Sequence, residues 1–321
     1  MKDDNITQHW SQKKEAITSY TSLKFLMTLS KFVPHVIIKI IVMPVTVFYF
    51  FYAKTSKVHS QDFLNRVSKI TGIKKTSTLI HFASFALNLV EKMESWSGKF
   101  SFNKIQFQQD DVVQLVDDLE RGQGALLICS HLGNTELLRA LAEMNRTGVS
   151  RKIPTISIVD FSVSPNFFRM IEEINPESLH HTISAKDIGP DTVIILQQCI
   201  EDGGLVVIAG DRTSATTIDS YFMFPFLGEK TPFATGPFIL ARILGAPCYT
   251  VFGLRHKTMA FFPTYKMYVK KLTIPQNTGR KERQVVTEYI AQQFITELEC
   301  HAIKNPYQWY NFYNFWAKPV L

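Results

Sequence analysis

The chain has 321 residues, 45% of them hydrophobic and 20% charged, with a net charge of +7. That length excludes a disulfide-stapled miniprotein, and that composition excludes a disordered tail. A mean hydropathy of -0.00 lies at the border between soluble and membrane-associated chains. The basic balance suits an anionic membrane surface, a nucleic acid or an acidic partner protein, and the 25 phenylalanines tilt that choice towards lipid. Cys129, Cys199, Cys248 and Cys300 form no CxxC pair, so a zinc ribbon or thioredoxin-type site is unsupported, and lone thiols fit a reducing compartment. The opening MKDDNITQHW lacks the basic start and short apolar core of a cleaved signal peptide.

Residues 31–54 read KFVPHVIIKIIVMPVTVFYFFYAK. A spanning helix needs about 20 apolar residues. Here the uncharged run covers only 40–53, Pro34, His35, Lys39 and Pro44 interrupt the stretch, and Lys24, Lys31, Lys39, Lys54 and Lys57 surround it. Aromatics crowd one end, from Phe48 to Tyr52. This pattern predicts a helix or hairpin lying in a membrane interface rather than a clean span. Residues 60–98 follow with helical apolar spacing at Phe63, Leu64, Val67 and Ile70, then at Leu79, Phe82, Phe85, Ala86, Leu89 and Met93.

From Asp110 the pattern changes. DDVVQLVDDLERGQG is a capped amphipathic helix, GALLICS a buried strand, and NTELLRALAEMNRTG a helix stopped at Gly148. Strand-like TISIV (155–159), helix-like 164–175 and a weak strand at 180–184 come next. They are followed by a helix over 191–204, the apolar strand LVVIAG, a helix over 235–247 and the strand CYTVFGL. Residues 258–274 read as a strand or hairpin, and a long helix occupies about 282–304. Strand–helix alternation with short apolar strands predicts an α/β fold: a mixed central sheet flanked by helices. The expected division is a helical, membrane-associating segment over 1–100 and an α/β domain over 101–321.

The sharpest local feature is CSHLGNTELLR. His131 lies just past a buried strand, Gly133 permits a tight turn, and Asn134 is a good N-cap. Glu136 then falls in the first helical turn, where the helix dipole favours its charged form. A carboxylate beside an imidazole fixes the tautomer and stabilises the imidazolium, so the pair can take a proton from a substrate hydroxyl. The same residues also suit a plain surface loop, in which His131 ends a strand and Glu136 meets only the dipole. Cys129 and His131 share a strand face, but no third group is evident to orient a Cys–His nucleophile pair. His180 and His181 point to opposite faces, so no metal site is expected. No GxxxxGK or GxGxxG occurs. The basic stretches 266–271 and 279–283 belong to no nucleic-acid module and better suit an acidic carrier protein or lipid head groups.

HLGNTE, with His and Glu at this spacing, resembles the first motif of the lysophospholipid acyltransferase superfamily, and its Glu form is similar to the bacterial lipid A late acyltransferases. Two further blocks follow in that family's order. AGDRTSATTIDSYFMFPFLGEKTPFATGPFILARILGAP resembles the second block and NPYQWYNFYNFW the closing one. Arg212 stands where the lipid A enzymes commonly carry Gln. GDRTS, FLGEKTPF and PYQWYNFYNFW are closer to acyltransferases of aryl-polyene and related lipid-pigment pathways.

The resemblance implies transfer of an acyl chain from an acyl carrier protein or coenzyme A thioester to a hydroxyl of a lipid or glycolipid. It implies no metal and no further cofactor. His131 would be the general base and Glu136 its orienter, with direct attack and no acyl-enzyme. Gly133, Asn134, Arg139, Asp211, Arg212, Phe233 and Gly236 are candidate substrate-binding positions. Backbone N–H groups near Gly133 and Asn134, or the Asp211–Arg212 turn, are candidate oxyanion donors. Phe224, Phe226, Leu227 and Phe233 suit either an acyl groove or ordinary core. The implied partners are an acyl carrier protein, a lipid acceptor and an anionic membrane surface, with no nucleic acid. The implied location is the cytoplasmic face of a bacterial inner membrane. A thioesterase using water and a non-catalytic lipid-binding protein are the alternatives.

Overall fold

The computed structural model describes residues 24, 33–96, 102–108, 111–137, 148–161, 165–174, 181–213, 220–275 and 279–318. Among them a mixed seven-stranded sheet is flanked by helices on both faces. The strands are β1 (Ile105–Gln108), β2 (Ala125–Cys129), β3 (Thr155–Val159), β4 (Thr182–Ser184), β5 (Leu205–Ala209), β8 (Cys248–Arg255) and β9 (Tyr265–Leu272). They run in the order β1-β9-β8-β2-β5-β3-β4. Every pairing is parallel except β8–β9. All five residues of β2 are buried, and β5 is apolar throughout, as expected for parallel strands covered on both faces.

Alternate strand residues feed two cores. Leu126, Ile128, Val206, Ile208 and Phe252 face one cluster, together with α6 (Pro190–Glu201), α7 (Gly236–Leu244) and α8 (Arg283–Lys304). Ala125, Leu127, Tyr249 and Val251 face the other, beneath Leu115 and Leu119 of α4 (Asp111–Glu120). The first cluster also takes in Phe63, Leu64 and Val67 of the helix Lys54–Thr71, which therefore shares a core with the sheet.

Three helices precede the sheet: α1 (His35–Tyr52), α2 (Lys54–Thr71) and α3 (Thr78–Trp96). Phe63, Leu64 and Val67 are buried on α2, as the sequence predicts, whereas Ile70 at the end of that stripe is 48% exposed. Leu79 departs from that prediction and is 38% exposed. Phe82 and Met93 are buried as expected, but the inward side of α3 also carries His81, Ser84, Asn88, Glu91, Glu94 and Ser95. The helix pair α1–α2 bends by 95° at Ala53, and no single described helix is long and apolar enough to cross a membrane.

Lys39, read from sequence as one of the cations around an apolar run, is buried. Its Nζ lies 3.1 Å from Glu91 and 3.4 Å from Glu94, and it donates to the carbonyl of Phe261. Glu91 also pairs with Arg255 at 3.1 Å and accepts from the Tyr265 hydroxyl. Arg255 in turn holds the carbonyls of Thr258 and Ala260. A buried ionic cluster therefore ties α1 and α3 to the end of β8 and the loop that follows it.

Two elements escape a reading of the sequence. β1 is a four-residue edge strand in a polar stretch, too short to show a period. The hairpin β6–β7 (Tyr221–Phe226 and Glu229–Ala234) lies outside the main sheet. Its two-residue turn, Leu227-Gly228, has positive φ at both positions (51° and 84°), the twist that suits tight hairpins. Glu299 of α8 accepts the Leu227 N–H at 2.5 Å and holds this turn in place.

Candidate active site

β2 and β5 are adjacent and parallel, with Cys129 in register with Ala209. The N–H of Gly210 continues the ladder onto the Cys129 carbonyl at 2.8 Å. His131 and Asp211 each stand two residues beyond those paired ends, so register alone brings them face to face. Carboxyl ends of neighbouring parallel strands are the usual place for a site in such sheets.

Asp211 grips His131 twice. The ring Nδ1 lies 2.8 Å from Asp211 Oδ1, and the His131 backbone N–H donates to Oδ2 at 2.9 Å. The C-terminal segment adds two donors to Oδ2, the Asn311 amide at 3.1 Å and the Trp309 indole at 3.3 Å. Asp211 is fully buried, whereas the His131 side chain is 30% exposed, so the imidazole is reachable and its partner is not. Burial alone would raise the Asp211 carboxyl. The positive imidazolium form of His131, the hydrogen bonds it donates and the Arg212 guanidinium outweigh that, and its pKa falls to about 2. Burial and the nearby Arg212 charge hold His131 below the usual imidazole value, against the pull of Asp211. At neutral pH this gives an ionised Asp211 and a neutral ring. Its Nδ1–H is donated to the carboxylate, and Nε2 keeps its lone pair.

The sequence reading assigned the orienting role to Glu136, but the carboxylate that bonds the ring is that of Asp211. Glu136 opens the following helical turn, and its backbone N–H is capped by Asn134 Oδ1 at 3.2 Å, as expected of that Asn. Two proposed oxyanion donors are also taken. The Gly133 N–H donates to the Gln308 carbonyl and the Asn134 N–H to the Gly253 carbonyl, both at 2.8 Å. The turn itself requires glycine: Gly133 has φ +80°, and a Cβ there would meet the Gly253 oxygen at 2.2 Å. Asn134 Nδ2 is buried and has no partner among the described residues.

Arg212 stands beside the pair. Its Nε donates to Asn311 Oδ1 at 3.0 Å, and its guanidinium lies 5.7 Å from the Tyr313 ring centre. Phe233 is fully buried against Phe226 and Phe315, and Phe224, Phe226 and Leu227 are buried as well, so these four are core rather than the walls of an open groove. Gly236 begins α7 with open space where a Cβ would lie. Arg139 lies outside the described residues. Cys129 is no rival nucleophile: burial pushes its thiol up to about 12, and its Sγ faces the Ile208 carbonyl.

The sequence reading missed the use of Trp309 and Asn311. Residues 305–318 run back across the site. The Tyr310 N–H donates to the His131 carbonyl at 3.1 Å, and Leu132 and Trp309 form an isolated antiparallel bridge. Comparison of the sequence with protein-family models and with curated proteins gives no match.

Proposed function

We propose that this chain is an O-acyltransferase that moves a fatty acyl group from an acyl carrier protein or coenzyme A thioester to a hydroxyl of a lipid or glycolipid. The observation that carries the reading is the partly exposed imidazole of His131, locked by a buried aspartate at two adjacent parallel strand ends. A second observation supports it. The three sequence blocks that resemble the lysophospholipid acyltransferase superfamily supply one cluster: His131 from the first, Asp211 and Arg212 from the second, Trp309 and Asn311 from the third.

In this mechanism His131 Nε2 takes the proton of the acceptor hydroxyl as its oxygen attacks the thioester carbonyl. Asp211 stabilises the imidazolium that results. Collapse of the tetrahedral adduct breaks the carbon–sulfur bond, and the departing thiolate recovers the proton from His131. No acyl-enzyme is needed, and no metal or redox group takes part. Arg212 carries a fixed positive charge close to this pair and suits the developing oxyanion or an anionic part of either substrate.

The membrane part of the reading rests on α1. Lys39 and Ile38 face inward, whereas Ile40, Val45, Phe48, Phe51 and Tyr52 are each more than half exposed. Lys54 is exposed at the bend, and Lys57 sits 4.7 Å above the Phe50 ring. An apolar helix face with cations at its end suits an anionic bilayer surface, here the cytoplasmic face of a bacterial inner membrane. Replacing Phe48 and Phe51 with Asp should release the protein from vesicles containing anionic lipid, with folding unchanged. Undiminished co-sedimentation would count against this surface. Deleting α1 is a poorer test, because it strips Lys39 from Glu91 and Glu94.

Mass spectrometry of lipid extracts from cells with and without the protein tests the reaction. An ester-linked acyl chain should appear on a lipid and vanish with His131→Ala, a loss of at least about 100-fold. Free fatty acid without a new lipid ester would make the chain a thioesterase. No acyl product at all would reject the enzyme reading.

A further inference from the structure

Asn311 is fully enclosed and lies between two groups that would otherwise find each other. Its Nδ2 donates to Asp211 Oδ2 at 3.1 Å, and its Oδ1 accepts from Arg212 Nε at 3.0 Å. Asp211 and Arg212 are neighbours in the chain, and an Arg beside a buried carboxylate ordinarily closes a direct ion pair. Asn311 satisfies both side chains separately, with one hydrogen bond to each. Asp211 Oδ1 is left to the His131 ring.

We propose that Asn311 is a positioning residue that keeps Arg212 off the Asp211 carboxylate, so that this carboxylate serves His131. The proposal rests on the reading of His131 as the base. An amide is the side chain that suits the place, since it offers one donor and one acceptor on a planar group and carries no charge. A carboxylate at 311 would repel Asp211, and an apolar residue would remove both of these hydrogen bonds. Trp309 supports the same oxygen from the other side of the segment, through its indole N–H.

The other groups whose charge reaches this cluster come from several elements. Arg212 lies on the β5 turn, Lys92 on α3, Cys129 at the end of β2, Glu136 after the His131 loop and Tyr313 on the C-terminal segment. None of them is substituted in the variants below, so any difference originates at position 311.

The test is the titration of the His131 ring, followed by NMR in the full-length protein without substrate and assigned with His131→Gln. Asn311→Asp adds an anion beside the imidazolium and should raise the apparent pKa by about one unit. Asn311→Leu frees Arg212 to pair with Asp211, which weakens support for the imidazolium and should lower the pKa by a similar amount. Should the leucine variant not fold, Asn311→Ala gives the same comparison without added bulk. Opposite shifts support the proposal. No shift, or shifts of the same sign in folded variants, overturn it. Because the titration needs no substrate, opposite shifts in a protein that transfers no acyl chain would reject the proposed function and leave the role of Asn311 standing.

Discussion

Asp211→Asn is expected to lower acyl transfer by about 10³–10⁴-fold while leaving the fold intact, the scale seen when an orienting carboxylate is turned into an amide. Four donors converge on Asp211: the His131 ring and backbone, Asn311 and Trp309. An amide replaces one acceptor oxygen with a donor. If its nitrogen faces Nδ1, the ring proton moves to Nε2, and the base has no lone pair to offer the acceptor. If it faces the other side, it meets three donors head-on.

On the proposed reading, initial rates measured from about pH 5 to 9 should show the unmodified protein losing activity only on the acid side, as the neutral His131 ring becomes protonated. The midpoint should fall below the ordinary imidazole value, as burial and Arg212 dictate. Glu136→Gln is the companion variant and should cost at least tenfold less than Asp211→Asn. A larger loss at Glu136 would return the orienting role to it. The Asp211 carboxyl, held near 2, also stabilises the fold above the ordinary carboxylate range, a contribution lost as pH falls towards that value.

Lys39→Ala is expected to destabilise the protein by about 3–5 kcal/mol, because it leaves Glu91 and Glu94 buried without their shared cation. Arg255 still neutralises Glu91, so Glu94 bears most of the loss. Burial already raises both carboxyls above their usual range, against the pull of the nearby cations. Without Lys39 they rise further, so the folded variant holds protons that the unfolded chain releases. Its deficit therefore grows as pH rises above the ordinary Glu range and shrinks below it. Thermal unfolding at two pH values measures this, and Lys39→Met combined with Glu94→Gln should recover part of the loss. A deficit under about 1 kcal/mol that does not vary with pH would show that the cluster contributes little.

Much of this arrangement is visible in the residue order. The apolar runs ALLIC and LVVIA mark two buried strands, and His131 and Asp211 hold equivalent places beyond them. What the residue order does not reveal is that those strands are neighbours, since β3 and β4 come between them in sequence but not in space. The nearer carboxylate, Glu136, is therefore the natural choice from sequence, and the distant one is what the fold delivers. Lys39 misleads for a similar reason: a cation inside an apolar run reads as an interruption until its partners, more than fifty residues away, are known. Trp309 and Asn311 lie in the closing block that the sequence singles out, but nothing local gives their role, because an indole and an amide acquire it only from the carboxylate they meet.

The His131 loop has as its immediate neighbour a strip of chain from some 180 positions later. Gln308 and Tyr310 bond the loop's backbone, and Trp309 and Asn311 hold its aspartate. A growing polypeptide thus cannot complete the hydrogen-bond set around His131 and Asp211 until residues 308–311 have emerged from the ribosome. On the proposed reading, a chain docked early through α1 would still lack these supports, and a frameshift that removes residues 308–311 is expected to cost activity although His131 is intact.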